Sequence, residues 1–102
     1  MKTSRYRFEF DSDSAKRDIR ERHFGTLAYL MQSGYDRVLE RHKGLNILRR
    51  HIGSKGIIFS SLRATENGDT QVIDIRWRFY CSDEEASIHL ERINNSYSQV
   101  AQ

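Results

Sequence analysis

Seventeen lysines and arginines, fourteen carboxylates, four histidines and one cysteine are the groups with which this 102-residue chain can do chemistry. His23, His42, His51 and His89 stand at no spacing that closes a metal site, and Cys81 alone cannot complete a zinc set with them. Glu85 and His89 are one helical turn apart, which reads as an exposed ion pair before it reads as two ligands. Ser60 and Ser61 adjoin, but no Gly-x-Ser-x-Gly turn accompanies them. Gly53-Ser54-Lys55-Gly56 has the residue types of a phosphate loop in reversed order, so it reads as a turn with a flexible lysine. The expectation is no catalytic residue, no metal and no cofactor: a binding protein, not an enzyme.

What the chain has in excess is arginine, thirteen against four lysines, suited to bidentate contact with phosphate or carboxylate and to stacking on rings. The formal charge is +3, but residues 1–63 carry +7 and residues 64–102 carry −4. Two basic groups stand out. Arg5, Arg7, Arg63, Arg76 and Arg78 alternate with apolar residues in strand-like runs, in company with Phe59 and Tyr80. Arg41, Lys43, Arg49, Arg50 and Lys55 fall in residues 34–56, the densest basic stretch, with a net charge of +4. Arginines that fix phosphates beside rings that stack bases are the platform of single-stranded nucleic-acid binders. An ordinary wet sheet face with cross-strand pairs to Asp74 and Glu9 is the competing reading.

The elements that must hold these residues follow from periodicity and turn chemistry. Residues 56–81 form two alternating runs joined at Asn67-Gly68, a strong hairpin signal. With Asn67 and Gly68 as the turn centre, Leu62 faces Ile73, Ser60 faces Ile75, Ile58 faces Trp77 and Phe59 faces Arg76. One face then carries Ile58, Leu62, Ile73, Ile75, Trp77 and Phe79; the other is basic and aromatic, with Ile57, Phe59, Val72 and Tyr80 forming an apolar patch. Residues 4–10 alternate in the same way, with Tyr6, Phe8 and Phe10 inward. A helix is predicted over about Ser14–Ser33, capped by the Asp11–Ser14 stretch and stopped by Gly34. Tyr35, Val38, His42, Leu45, Leu48 and Ile52 recur at steps of three or four, which predicts one helix over 35–52, or a helix-turn-helix broken at Gly44. Ser82 and Glu85 make a capping box for a last helix whose stripe is Ala86, Leu90, Ile93, Tyr97 and Val100.

The fold class expected is α+β: a single two-layer domain over 1–102, with a three-stranded antiparallel sheet in the order strand, helices, hairpin, helix, and the helices packed on one face. The order of elements resembles that of small ribosome-associated ribonuclease toxins, which cut RNA with scattered Arg, Lys, His and Tyr. That resemblance rests on architecture and on no residue pattern. No apolar run is long enough for a membrane span, no apolar leader opens the chain, and a lone cysteine suits a reducing cytoplasm. The function expected is a small cytoplasmic regulator, a homodimer, that binds nucleic acid, single-stranded or RNA favoured, through the basic faces. The alternative is a protein-binding inhibitor or adaptor using the same surface, or a homodimer formed through it.

Overall fold

A computed structural model describes residues 1–44 and 46–98, with Val38 and Leu39 described by their backbone only. The order is β1 (Lys2–Phe10), α1 (Asp13–Gln32), β2 (Asp36–Lys43), β3 (Asn46–Gly53), β4 (Gly56–Asn67), β5 (Thr70–Cys81) and α2 (Asp83–Ser98). The five strands form one antiparallel sheet in the order β1-β5-β4-β3-β2. The α+β class and the antiparallel sheet stand. The expected three strands are corrected to five, because residues 35–52 are neither one helix nor a helix-turn-helix but a second hairpin.

That correction has a plain cause. Gly44, at φ +59°, sits in the tight turn, and β2 and β3 pair from Lys43↔Asn46 outward to Asp36↔Ile52. The inward positions of β3 are Ile47, Arg49 and His51, so two of three are polar and the period-two apolar signal never forms. Of the residues whose three-to-four spacing suggested a helix, His42 lies on the helix side of the sheet and Leu48 and Ile52 on the other; Leu45 lies outside the described residues. With one helix before the sheet instead of two, the element order also departs from that of the ribonuclease toxins.

The helices form as their end signals direct. Ser12 Oγ accepts from the Ala15 N–H at 3.3 Å to open α1. At its end Gly34, φ +91°, donates to Met31 and Tyr35 donates to Leu30, the paired bonds of a Schellman motif. Ser82 Oγ accepts from Glu85 N–H at 3.1 Å to open α2, but the Glu85 carboxylate turns to His89 and Tyr35.

Both helices lie on the Trp77 side of the sheet. Ile19, Leu27 and Leu30 of α1 and Ala86, Ile93 and Tyr97 of α2 join Phe8, Phe10, Ile58, Ile73, Ile75, Trp77 and Phe79 in one buried cluster. Fully burying side chains of this size contributes roughly 1.5–3 kcal/mol each, so inverting the faces by a one-residue slip is strongly disfavoured. Among the described residues no helix lies on the other side of the sheet.

The β4–β5 turn closes one residue later than expected. Asn67 pairs with Thr70, and the two turn residues are Gly68 and Asp69. Gly68 alone has positive φ, +64°, which matches a type II′ turn with glycine first, not the type I′ turn that Asn67-Gly68 suggested. Leu62 therefore faces Ile75, Ser60 faces Trp77 and Ile58 faces Phe79. Partners move by two residues, so every side chain keeps its face. Phe59 now lies across from Arg78 instead of Arg76.

Candidate nucleic-acid interface

Strand pairing lays the open face out in rows that cross the sheet. One row runs Arg7, Asp74, Arg63, Asn46, Lys43; the next runs Arg5, Arg76, Ser61, Leu48, Arg41; a third runs Thr3, Arg78, Phe59, Arg50. Rows two residues apart are separated by about 6.8 Å along the strands. Arg5, Arg7, Arg63, Arg76 and Arg78 from the strand runs thus share a face with Arg41, Lys43 and Arg50 from the basic stretch. The second hairpin brings together what the sequence kept as two separate groups.

The face is not flat. A groove of about 600 Å³ runs over Leu48 and Ser61 between Arg5, Arg7, Arg41, Lys43, Arg63 and Arg76. A neighbouring depression of about 590 Å³ is bordered by Arg5, Phe59, Arg76 and Arg78. Phe59 and Tyr80 meet edge to face with ring centres 5.5 Å apart, and the Arg78 guanidinium lies 5.1 Å above Phe59. Tyr80 is 45% exposed. Asp74 is the counter-charge inside the groove, 3.0 Å from Arg5 and 3.6 Å from Arg7, and Glu9 at the margin accepts from Thr70. Arg50 Nε is buried without a hydrogen-bond partner.

Three expectations about individual residues are corrected. Arg49 points to the opposite face and is 5% exposed. Lys55 stands in the β3–β4 turn and pairs with Glu85 at 3.6 Å, away from the groove. Val72 is 1% exposed, flanked by Glu9 and Thr65 in the register, and contributes no open apolar surface. Glu85 and His89 are not an exposed pair either: His89 is buried, bonded to Glu85 at 2.8 Å and to Tyr29 Oη at 2.8 Å, and Tyr35 Oη donates to Glu85 at 3.0 Å. Burial raises the Glu85 pKa, yet the hydrogen bonds from His89 and Tyr35 outweigh it and hold the carboxyl below its ordinary value.

The helix-facing side holds a polar chain that the sequence did not disclose. Arg49 Nε donates to Glu40 Oε2 at 2.8 Å, and Arg49 Nη1 donates to His23 Nε2 at 3.3 Å. His23 is 2% exposed, and burial, with Arg49 and His51 nearby, pushes its pKa down to about 3. A neutral imidazole that accepts at Nε2 carries its proton on Nδ1, which donates to Tyr97 Oη at 2.8 Å. Burial likewise lowers His51 to about 4, with Arg37 and Arg49 adding to it, and His51 Nε2 meets Ser60 Oγ at 3.1 Å. The bonds from His42 and Arg49 hold Glu40 down to about 2. These residues are scattered through α1, β2, β3, β4 and α2, so no spacing links them. Among the described residues no group of three or more His, Cys, Asp or Glu is placed to hold a metal ion.

No protein-family model and no curated protein sequence matches this chain. Its backbone is similar to that of CalU16 from Micromonospora echinospora, at 12% identity and a TM-score of 0.56 over 91% of this chain and 70% of that one. That likeness is one of fold. An uncharacterised protein from Bacillus thuringiensis aligns over 97% of this chain and 93% of its own at 12% identity, with a TM-score of 0.40. Among the described residues no helix is long and apolar enough to cross a membrane.

Proposed function

We propose that this domain binds single-stranded nucleic acid on the open face of its sheet. One observation carries the reading: eight cations from all five strands converge on a face that no helix covers among the described residues, with one carboxylate, Asp74, inside the groove between them. Arginines there can contact successive phosphates, and Phe59 and Tyr80 offer rings on which a base can stack. The same cations weigh against two copies pairing face to face, since like charges would oppose one another across the two-fold axis. Charged residues along the β2 edge, among them Asp36, Arg37, Glu40, Arg41 and Lys43, weigh against strand-to-strand pairing there.

A fluorescent sixteen-nucleotide uridine oligomer is the direct probe. Its affinity is expected to fall steeply between about 50 and about 200 mM salt, with a log–log slope of about 0.7 per phosphate contacted. Arg76→Ala with Arg78→Ala is expected to remove most binding while the far-ultraviolet spectrum and melting temperature stay close to the parent. Salt-insensitive binding, or full affinity in the double variant, would overturn the proposal. A pull-down from nuclease-treated lysate tests the remaining reading, a protein partner on this face.

A further inference from the structure

A second binding space lies on the other side of the sheet, between α1 and the β3–β4 strands, with a volume of about 270 Å³. That is just below the ordinary range of small-molecule pockets, about 300–1,000 Å³. Ile47, Leu62, Ala64 and Ile73 from the sheet and Phe24 from α1 give it an apolar wall, beside the polar His42, Thr65 and Gln71. Phe24 is 51% exposed, a large ring left open at the mouth. The buried end is polar, formed by Arg49 and His23. Lys16 and Arg20 stand at the rim, against the single rim carboxylate Glu66.

The geometry points to a small carboxylate-bearing molecule with an apolar body, its anionic end on the Arg49 guanidinium and its body against Ile47, Leu62 and Phe24. Arg49 is held on two sides, by Glu40 and by His23, and those bonds use two of its N–H groups. A guanidinium has five, so the remaining donors of a fixed planar fork stay available to a second acceptor. His23 accepts from Arg49 and cannot itself offer Nε2–H, so the arginine is the donor that greets the ligand. A planar fork in a narrow space fits a carboxylate bidentately. The apolar wall supplies the rest of the affinity by area removed from water. This site is independent of the sheet-face reading.

Octanoate is the probe, with octan-1-ol and octylamine as its uncharged and cationic counterparts. Calorimetric titration is paired with the emission of Trp77, the chain's one tryptophan, whose ring lies 6.0 Å from that of His23. Octanoate is expected to bind at least about tenfold more tightly than octanol, the scale of one charge-assisted contact, and octylamine more weakly than either. Arg49→Gln with Glu40→Gln, which leaves no unpaired buried charge, is expected to bring octanoate down to the level of octanol. Ala64→Phe fills the space without touching the polar chain and is expected to lose both ligands while uridine-oligomer binding persists. Equal affinity for all three probes, undiminished octanoate binding in either variant, or no octanoate binding up to about 10 mM would overturn the assignment. Competition by inorganic phosphate as strong as by octanoate would overturn the carboxylate class.

Discussion

At the scale of single residues, the buried imidazoles set the pH response between about pH 4 and 6.5. His23 and His51 titrate at about 3 and about 4 in the folded chain, against an ordinary value near 6.5 when unfolded. Above about pH 6.5 neither state binds these protons and the pair contributes no slope. Below it the unfolded chain takes them up while the folded chain does not, so stability falls as pH drops from about 6.5 toward 4. The limiting slope is about 1.4 kcal/mol per pH unit for each histidine. Urea-unfolding midpoints from pH 4 to 8 measure it directly. His51→Gln, which keeps a partner for Ser60, is expected to lower stability at pH 7 yet remove about half of that slope; a slope that does not change would show the acid sensitivity lies elsewhere.

At the scale of elements, the β4–β5 hairpin separates two turn types by experiment. In the type II′ turn only Gly68, φ +64°, needs left-handed backbone, whereas Asn67 is a paired strand residue. Gly68→Ala is therefore expected to cost about 1–2 kcal/mol and Asn67→Thr less than about 0.5 kcal/mol, read as thermal or urea midpoints. Equal losses at the two positions would favour the type I′ turn. Wherever local signals agreed, the sequence was readable: the alternation of Tyr6, Phe8 and Phe10, the caps at Ser12 and Ser82, the Gly34 stop, and both faces of β4 and β5 follow from it directly. The β2–β3 hairpin was not readable, because Arg49 and His51 occupy core-facing positions and satisfy each other's surroundings through Glu40, His23 and Ser60. Burial of a polar group depends on partners far away in sequence, and periodicity does not record partners. The same blindness hid the pocket beneath α1, while five of the eight cations on the open face, Arg5, Arg7, Arg63, Arg76 and Arg78, were legible from strand alternation alone.

Across the whole molecule, charge is divided between the two layers. The open sheet face carries Arg5, Arg7, Arg41, Lys43, Arg50, Arg63, Arg76 and Arg78, whereas α1 and α2 together hold five cations and seven acids. A polyanion therefore meets an attractive side and a mildly repulsive one, so approach is oriented before contact. Inside the groove Asp74 is the exception, occupying Arg5 and Arg7 at 3.0 and 3.6 Å. If the face serves only as a wet sheet surface, Asp74→Asn removes two exposed ion pairs, costs stability slightly and changes no binding. If it is a nucleic-acid platform, the same substitution frees two guanidiniums and removes a charge that repels phosphate. Oligouridine affinity is then expected to rise about threefold to tenfold, and the salt slope to steepen by about 0.7 for each arginine newly engaged. The two accounts part on one variant, unchanged binding against tighter binding, because a carboxylate that supports the sheet and one that blocks a phosphate are told apart only by what happens when it is neutral.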